Sequence, residues 1–348
     1  AVNAVKAAVR MRVALAHLNV KLIERGLAPL RTGIGVHTGE VIAGGKSNLT
    51  YTVTDGTTRV IVRRPPLGHV LATAHDMGRE HRVMAALATT PVPVPRMYAA
   101  CPDDTVIGAP FYVMELVEGT PYRTASQLEA LGAERTRRIS ERMVDTLADL
   151  HVVDPASVGL GDFGRPEGFL ARQVRRWGQQ LDSSHTRELA GADRLRALLA
   201  ERVPQETPPA IVHGDYRLDN ILTTADDELA AVIDWEMATL GDPLTDIALL
   251  LTYQRIAQLG GTGVSTVSLA PGFLSVDEIS TRYGARSGRD LTHLGFYEGL
   301  AAFKLAVILE GIHYRFVHGQ TVGEGFSNVG EMVEPLLSLG LQRTEGDH

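Results

Sequence analysis

Residues 211–222 read IVHGDYRLDNIL. Apolar pairs, Ile211–Val212 and Ile221–Leu222, flank a loop of charged and amide side chains, which predicts two short strands holding polar groups rigid at a cleft. A further strand, Leu229 to Ile233, ends in Asp234 within AAVIDWE. An Asp, an Asn five residues on and another Asp at the end of the next strand are the parts that phosphoryl transfer from a nucleotide uses. Asp215 is expected to accept or orient the proton of an attacking hydroxyl. Asn220 and Asp234 present hard oxygens suited to magnesium. Taken singly, each is as well explained by turn chemistry, because Asp and Asn bond their own backbone in turns. The joint spacing decides for catalysis.

The order H-x-D, four residues, N, strand, D follows the kinase pattern H-R-D-x-x-x-x-N and D-F-G, with Gly214 for Arg and Trp235 for Phe. With Gly241-Asp242-Pro243 and Asp246 completing the run from Asp234 to Ala248, the chain resembles the small-molecule branch of the kinase-like superfamily, which includes the aminoglycoside phosphotransferases. That resemblance implies an α+β, bilobal protein-kinase-like fold. A small antiparallel-sheet N-lobe is expected over residues 44–117 and a larger, mainly helical C-lobe over 118–348. ATP and Mg2+ are expected between them, with a hydroxyl-bearing small molecule as acceptor. Asp246 is given a structural role, capping the following helix or bracing the catalytic loop. Gly161-Asp162-Phe163-Gly164 also spells DFG, but it lies upstream of Asp215 and at no strand end. It is read as a loop before a helix over 168–182, whose Arg172, Arg175 and Arg176 line a substrate entrance or form a solvated face.

Gly44-Gly45-Lys46-Ser47-Asn48 falls between expected strands Glu40–Ala43 and Leu49–Thr54, as a hairpin over a nucleotide should. Gly44 and Gly45 let backbone approach phosphates, and Ser47 and Asn48 add donors. The segment is no Walker A loop, since its first glycine would fall on Glu40. The strand Thr58–Val62 runs out into Arg63-Arg64-Pro65-Pro66. Where kinases place a phosphate-binding lysine this chain has Arg63, with Glu80 in the helix Asp76–Leu87 as partner. The plain alternative is two arginines ending a surface strand. Phe111–Met114 is a strand, and Glu115–Gly119 is a linker whose backbone at Glu115 and Val117 is placed, by position, to meet an adenine edge.

SNLTY, RRPPLGHVLATAHDMGREHRVMAAL, VIGAPFYVMELVEG and HGDYRLDN together resemble the kinase-like domains fused to some acyl-CoA dehydrogenases and their free-standing bacterial relatives, over residues 44 to about 345. That subfamily carries arginine at the lysine position. The resemblance implies a hydroxyacyl-CoA or related metabolite as acceptor. The alternatives are an aminoglycoside or sugar kinase, a catalytically silent nucleotide-binding module and a cyclase-related regulatory protein. The last arises because residues 1–43, an amphipathic helix followed by a Gly-marked hairpin, resemble a fragment of a class III nucleotide cyclase domain. The fragment lacks the segment bearing that family's metal-binding aspartates. It is read as a fusion remnant, with His37 structural.

Further expectations are a helix over 126–152 ending in a hydrogen-bonded His151, a mobile loop over 256–274, a buried helix from Tyr297 to Phe316, and a last helix from Val329 to Leu341 bent at Pro335. With 348 residues and 44% hydrophobic content, two folded lobes are affordable. A net charge of −7 counts against nucleic acid as a partner. The lone Cys101 excludes an intrachain disulfide. The best apolar run, Leu300–Leu309, is short and interrupted by Lys304, so no membrane span is expected. With no signal-like start, a cytoplasmic protein is expected. Oligomeric state is left open.

Overall fold

The computed structural model describes residues 48–54, 59–66, 76–260, 265–321 and 326–347. The chain divides into two compact units, a smaller one reaching to Ala88 and including Val94–Glu118, and a larger one taking Thr89–Pro93 and everything from Gly119 on.

In the smaller unit, β1 (Leu49–Thr54), β2 (Arg59–Arg64), β3 (Met97–Cys101) and β4 (Phe111–Glu115) form one antiparallel sheet in the order β1-β2-β4-β3. The helix α1 (Met77–Leu87) starts at Asp76, whose carboxylate accepts from the Arg79 N–H. Strand alternation sorts the side chains. Val53, Val60, Val62, Phe111 and Val113 close one core face with Ile107. Ile61 and Arg63 point to the other, as do Tyr112 and Met114 of β4, and α1 packs against β3 and β4. Arg63 therefore lies inside β2 rather than beyond its end. Arg64, one residue on, is turned over and buried, donating to the Ile107 carbonyl at 2.9 Å.

The larger unit contains α2 (Ala125–Glu129), α3 (Ala133–Val152), α4 (Phe169–Ser184), α5 (Ala192–Glu201), β5 (Ala210–Val212), β6 (Ile221–Thr223), β7 (Leu229–Val232), β8 (Thr239–Gly241), α6 (Leu244–Gln258), α7 (Val276–Ser287), α8 (Leu294–Val317) and α9 (Val333–Glu345). The strands make two antiparallel ladders, β5 with β8 and β6 with β7. α8 is apolar around most of its circumference, as an enclosed helix must be, and packs against α4, α5, α6 and α9. The architecture is the small antiparallel sheet and the mainly helical remainder of a bilobal kinase-like fold.

Three expectations are corrected, and the decoy DFG is the loop it was expected to be. The helix over 126–152 is two helices: α2 ends at Glu129, and Gly132 at φ +89° redirects the chain into α3. Pro335 does not bend the last helix. It occupies the first turn of α9, where its missing N–H costs nothing, and the change from a 3-10 turn over Val329–Met332 to α-helix comes before it. Of the loop over 256–274, the start is the end of α6. The described part from Ser265 is pinned: Thr266 N–H and Ser265 Oγ bond the Arg123 carbonyl, and Val267, Ala270 and Leu274 are buried. Asp162-Phe163-Gly164 is a turn whose Phe163 is buried, as ordinary core packing requires.

Candidate active site

The loop carrying Asp215 hangs between β5 and β6, and its ends are held by the two ladders. His213 packs edge-on against Tyr216 and at 4.6 Å against Trp235. Its Nδ1 accepts from the Asp215 N–H at 3.3 Å, so Nε2 carries the proton and donates to the Ile233 carbonyl at 3.0 Å. The ring thus ties the residue before Asp234 to the residue that starts the loop. Gly214 follows at φ +86°, with space for no side chain: a Cβ there would lie 2.7 Å from Met237 Cβ. Gly214→Ala is expected to cost about 1–3 kcal/mol of stability from strain alone. Urea denaturation of the variant checks it, and a midpoint equal to the parent's would contradict the strain argument.

Asp246, near the N-terminus of α6, is the brace of this loop. Its Oδ2 accepts from the His213 N–H at 2.7 Å and its Oδ1 from the Gly214 N–H at 2.8 Å. Capping falls to Asp242, which accepts from the Leu244 N–H at 3.0 Å and from the Tyr297 hydroxyl at 2.8 Å. His151 of α3 completes the brace, with Nε2 at 3.3 Å from Asp246 and Nδ1 accepting from Tyr283 at 2.7 Å. Burial pushes the His151 ring below its ordinary pKa. Burial alone would raise the Asp246 carboxyl, but the hydrogen bonds from His151 and the His213 backbone hold it below the usual carboxylate range.

Both groups weaken the fold in acid. An unfolded His151 takes up a proton below about pH 6.5 that the folded ring resists. The Asp246 contribution is complete above the ordinary carboxylate pKa and is lost as pH falls through its depressed folded value. The melting temperature is expected to fall between pH 7.5 and 5.5, and to fall less in His151→Gln. An equal fall in both proteins would rule His151 out as a source.

Asp215 is half-buried and oriented at both oxygens. Tyr253 of α6 donates to Oδ1 at 3.0 Å, and Asn220 Nδ2 donates to Oδ2 at 3.1 Å and to the Asp215 carbonyl at 2.9 Å. Burial and the neighbouring Asp215 charge push the Tyr253 hydroxyl upward, so it remains a donor. With Asn220 Nδ2 committed, Oδ1 is its atom for a cation. Pairing of Ile221 with Val232, and the Ile233 N–H on the Asn220 carbonyl at 2.9 Å, sets Asn220 opposite Ile233, the residue before Asp234. Asp234 adopts φ +68°, ψ +55°, a left-handed conformation rare outside glycine and a strain that functional sites tolerate. An amide oxygen and a carboxylate are donors of the type that fits Mg2+.

In the smaller unit, Arg63 reaches Glu80 at 3.2 Å, with Glu80 almost wholly buried. Glu80 also receives Asn48 Nδ2 at 2.7 Å and the Tyr112 hydroxyl at 2.8 Å. Asn48, expected over phosphates, is thus a partner of Glu80 at the foot of β1. Gly44, Gly45 and Ser47 lie outside the described residues, as do residues 1–43. The Glu115 N–H is taken by the Arg96 carbonyl at 2.9 Å, which removes it as an adenine donor. Among the described residues no backbone hydrogen bond engages Val117.

Three residues of the larger unit escaped the sequence reading: Tyr253, Trp177 and Lys304. Lys304 Nζ donates to the Gly214 carbonyl at 3.0 Å and lies 5.9 Å from the Trp177 ring. Its signal was in the sequence, a lone lysine interrupting the apolar run of α8. Tyr253 carried no such mark among the apolar residues of α6. Of the three α4 arginines, Arg172 and Arg176 line a cavity of ≈ 250 Å³ beside Gly214, and Arg175 does not.

A kinase-like unit with paired oxygen donors behind a braced Asp defines a phosphotransferase. The comparisons agree: residues 38–269 match the phosphotransferase enzyme family (APH), and the chain belongs to it. The match begins within the segment that resembles a cyclase fragment. Acyl-CoA dehydrogenase family member 11 of Gallus gallus is 34% identical over 86% of this chain and 39% of its own length. Acyl-CoA dehydrogenase family member 10 of Mus musculus is 33% identical over 85% of this chain and 28% of its own. The chain therefore spans well under half of these relatives. A crystal structure of a candidate aminoglycoside phosphotransferase from Ralstonia eutropha superposes with a TM-score of 0.82, at 32% identity, over 95% of this chain and 98% of that one. The aminoglycoside phosphotransferase APH(4)-Ia, in complex with ADP and hygromycin B, shares the fold alone, with a TM-score of 0.59 at 14% identity over 94% of this chain and 99% of that one. Among the described residues no helix is long and apolar enough to cross a membrane.

Proposed function

We propose that the chain transfers the γ-phosphoryl group of ATP to a hydroxyl of a small molecule, with a hydroxyacyl-CoA or related hydroxylated metabolite as acceptor. The observation that carries this reading is the doubly oriented Asp215 beside Asn220, one hairpin turn from Asp234. Family membership and the acyl-CoA dehydrogenase relatives support it.

Asp215 takes the acceptor's proton as its oxygen attacks, while Tyr253 and Asn220 stop the carboxylate from rotating. Asn220 Oδ1 and the Asp234 carboxylate would hold Mg2+, which would neutralise charge on the phosphates. Arg63, fixed by Glu80, pairs with phosphate oxygens in two-pronged fashion. The Val117 backbone takes the adenine edge, and the glycines at 44 and 45 with Ser47 cover the phosphates. Residues 44–117 form the nucleotide-side lobe and 118–348 the acceptor-side lobe. ATP as the donor supports a cytoplasmic setting.

The test is magnesium-dependent ATP consumption by the purified chain with hydroxyacyl-CoAs, aminoglycosides and sugars in turn, Asp215→Ala serving as control. Turnover with hydroxyacyl-CoAs, lost in the control, is expected. Nucleotide binding without turnover would leave a silent module, and no binding at all would overturn the reading.

A further inference from the structure

Most arginines of the larger unit are paired with carboxylates. Arg135 and Arg138 share Asp227, Arg142 meets Glu228, Arg282 and Arg286 hold Asp145 and Asp149, and Arg255 and Arg343 converge on Glu298. In a chain of net charge −7 acids are plentiful enough for this. The cavity beside Gly214 departs from the pattern. Arg165, Arg172, Arg176 and Lys304 all line it, together with Trp177. Its one carboxylate, Asp246, is committed to the His213 and Gly214 N–H groups and to His151.

Arg172 is turned away onto the carbonyls of Glu167 and Arg165, which shapes the loop at the rim. The remaining three cations have no carboxylate partner among the described residues. Arg176 lies with its guanidinium 5.5 Å over the Trp177 ring, Arg165 is exposed at the mouth, and Lys304 spends one of its three N–H donors on Gly214. Stacking on Trp177 restrains Arg176, and the bond to Gly214 restrains the part-buried Lys304, so these two have less rotamer entropy to lose when a ligand arrives. Burial lowers the Lys304 pKa even though the Asp215 and Asp246 carboxylates pull it the other way, so desolvation outweighs their attraction.

We propose that this cavity recognises an anionic group of the acceptor, a carboxylate or a phosphate, through Arg165, Arg176 and Lys304, and so selects acidic alcohols. This rests on the phosphotransferase reading, since the Lys304 bond to Gly214 places the cavity against the residue preceding Asp215. An aminoglycoside, itself a polycation, would bring like charge to three cations. At ≈ 250 Å³ the space suits the acid end of a small acceptor rather than a whole drug-sized ligand. A free carboxylate and the phosphates of a CoA thioester offer the same chemistry.

Three alcohols of one skeleton separate charge from shape: 3-hydroxybutanoate, butane-1,3-diol and 4-aminobutan-2-ol, with 3-hydroxybutanoyl-CoA as a fourth probe. Binding is read from Trp177 fluorescence, with Trp177→Phe confirming the source of the signal, and ATP-dependent phosphate transfer is measured in the same samples. An anionic probe, the acid or its thioester, is expected to bind at least tenfold more tightly than the diol or the amino alcohol. Arg165→Gln/Arg176→Gln should remove that preference. Binding by the free acid identifies the carboxylate as the recognised group, and binding by the thioester alone identifies the CoA phosphates. Equal or tighter binding of the amino alcohol, or a preference that survives the double substitution, overturns the proposal. Anion-selective binding without transfer upholds it and counts against the kinase reading. Transfer at equal rates to all three alcohols does the reverse.

Discussion

Asp215→Asn is expected to lower the rate of phosphate transfer by about 10²–10⁴-fold, the range that a positioned general base contributes. The substitution keeps shape. Asn can turn its oxygen toward the Asn220 Nδ2 and its own amide toward the Tyr253 oxygen, so both hydrogen bonds that orient Asp215 have a counterpart. The site is half-buried and not part of the apolar core, so stability should change little. Nucleotide binding should persist, because Asn220 and Asp234 are untouched. Rate loss with unchanged nucleotide affinity and unchanged melting temperature is the signature. Full activity in Asp215→Asn would remove Asp215 from the chemistry, and a large melting shift would make its role structural.

Asp246→Ala should be the most damaging single change to the larger unit. The carboxylate is buried and receives three donors, the His213 and Gly214 N–H groups and His151 Nε2, and alanine leaves all of them facing apolar surroundings. Breaking one side of such a buried charged cluster typically costs about 3–5 kcal/mol. Activity should fall as well, at least tenfold, because Gly214 at φ +86° loses the bond that fixes the backbone ahead of Asp215. Denaturant titration and initial rates on the same preparation test both. A loss below about 1 kcal/mol, the worth of one ordinary hydrogen bond, would mean that water or a shift of the loop replaces the brace.

How much of this was legible in the sequence differs from residue to residue. Asp215, Asn220 and Asp234 were readable because their spacing is local: a short strand, a loop and a hairpin place them, and no distant segment is needed to see why. Glu80 was readable as a partner of Arg63 only through resemblance, and Tyr112 joined them through β2–β4 pairing that local periodicity does not reveal. The Glu115 N–H looked available in the sequence and is not, since the Arg96 carbonyl reaches it across the sheet. Pro335 was misread because a proline breaks a helix interior but fits a first turn, and the helix start was invisible without the packing around it.

The sequence by itself determined the fold class and marked the loop proposed to carry the chemistry and the oxygens proposed for a cation, because these follow from strand alternation and from short spacings between residues that stay neighbours. Tertiary structure alone decided which residues act on that loop from afar: Asp246 and His151 beneath it, Tyr253 against Asp215, and Lys304 with Arg176 around the cavity. Those contacts join α3, α4, α6 and α8, which meet only when their apolar faces are buried against one another. A lone lysine in an apolar helix is a hint in one dimension, and its partner exists only in three.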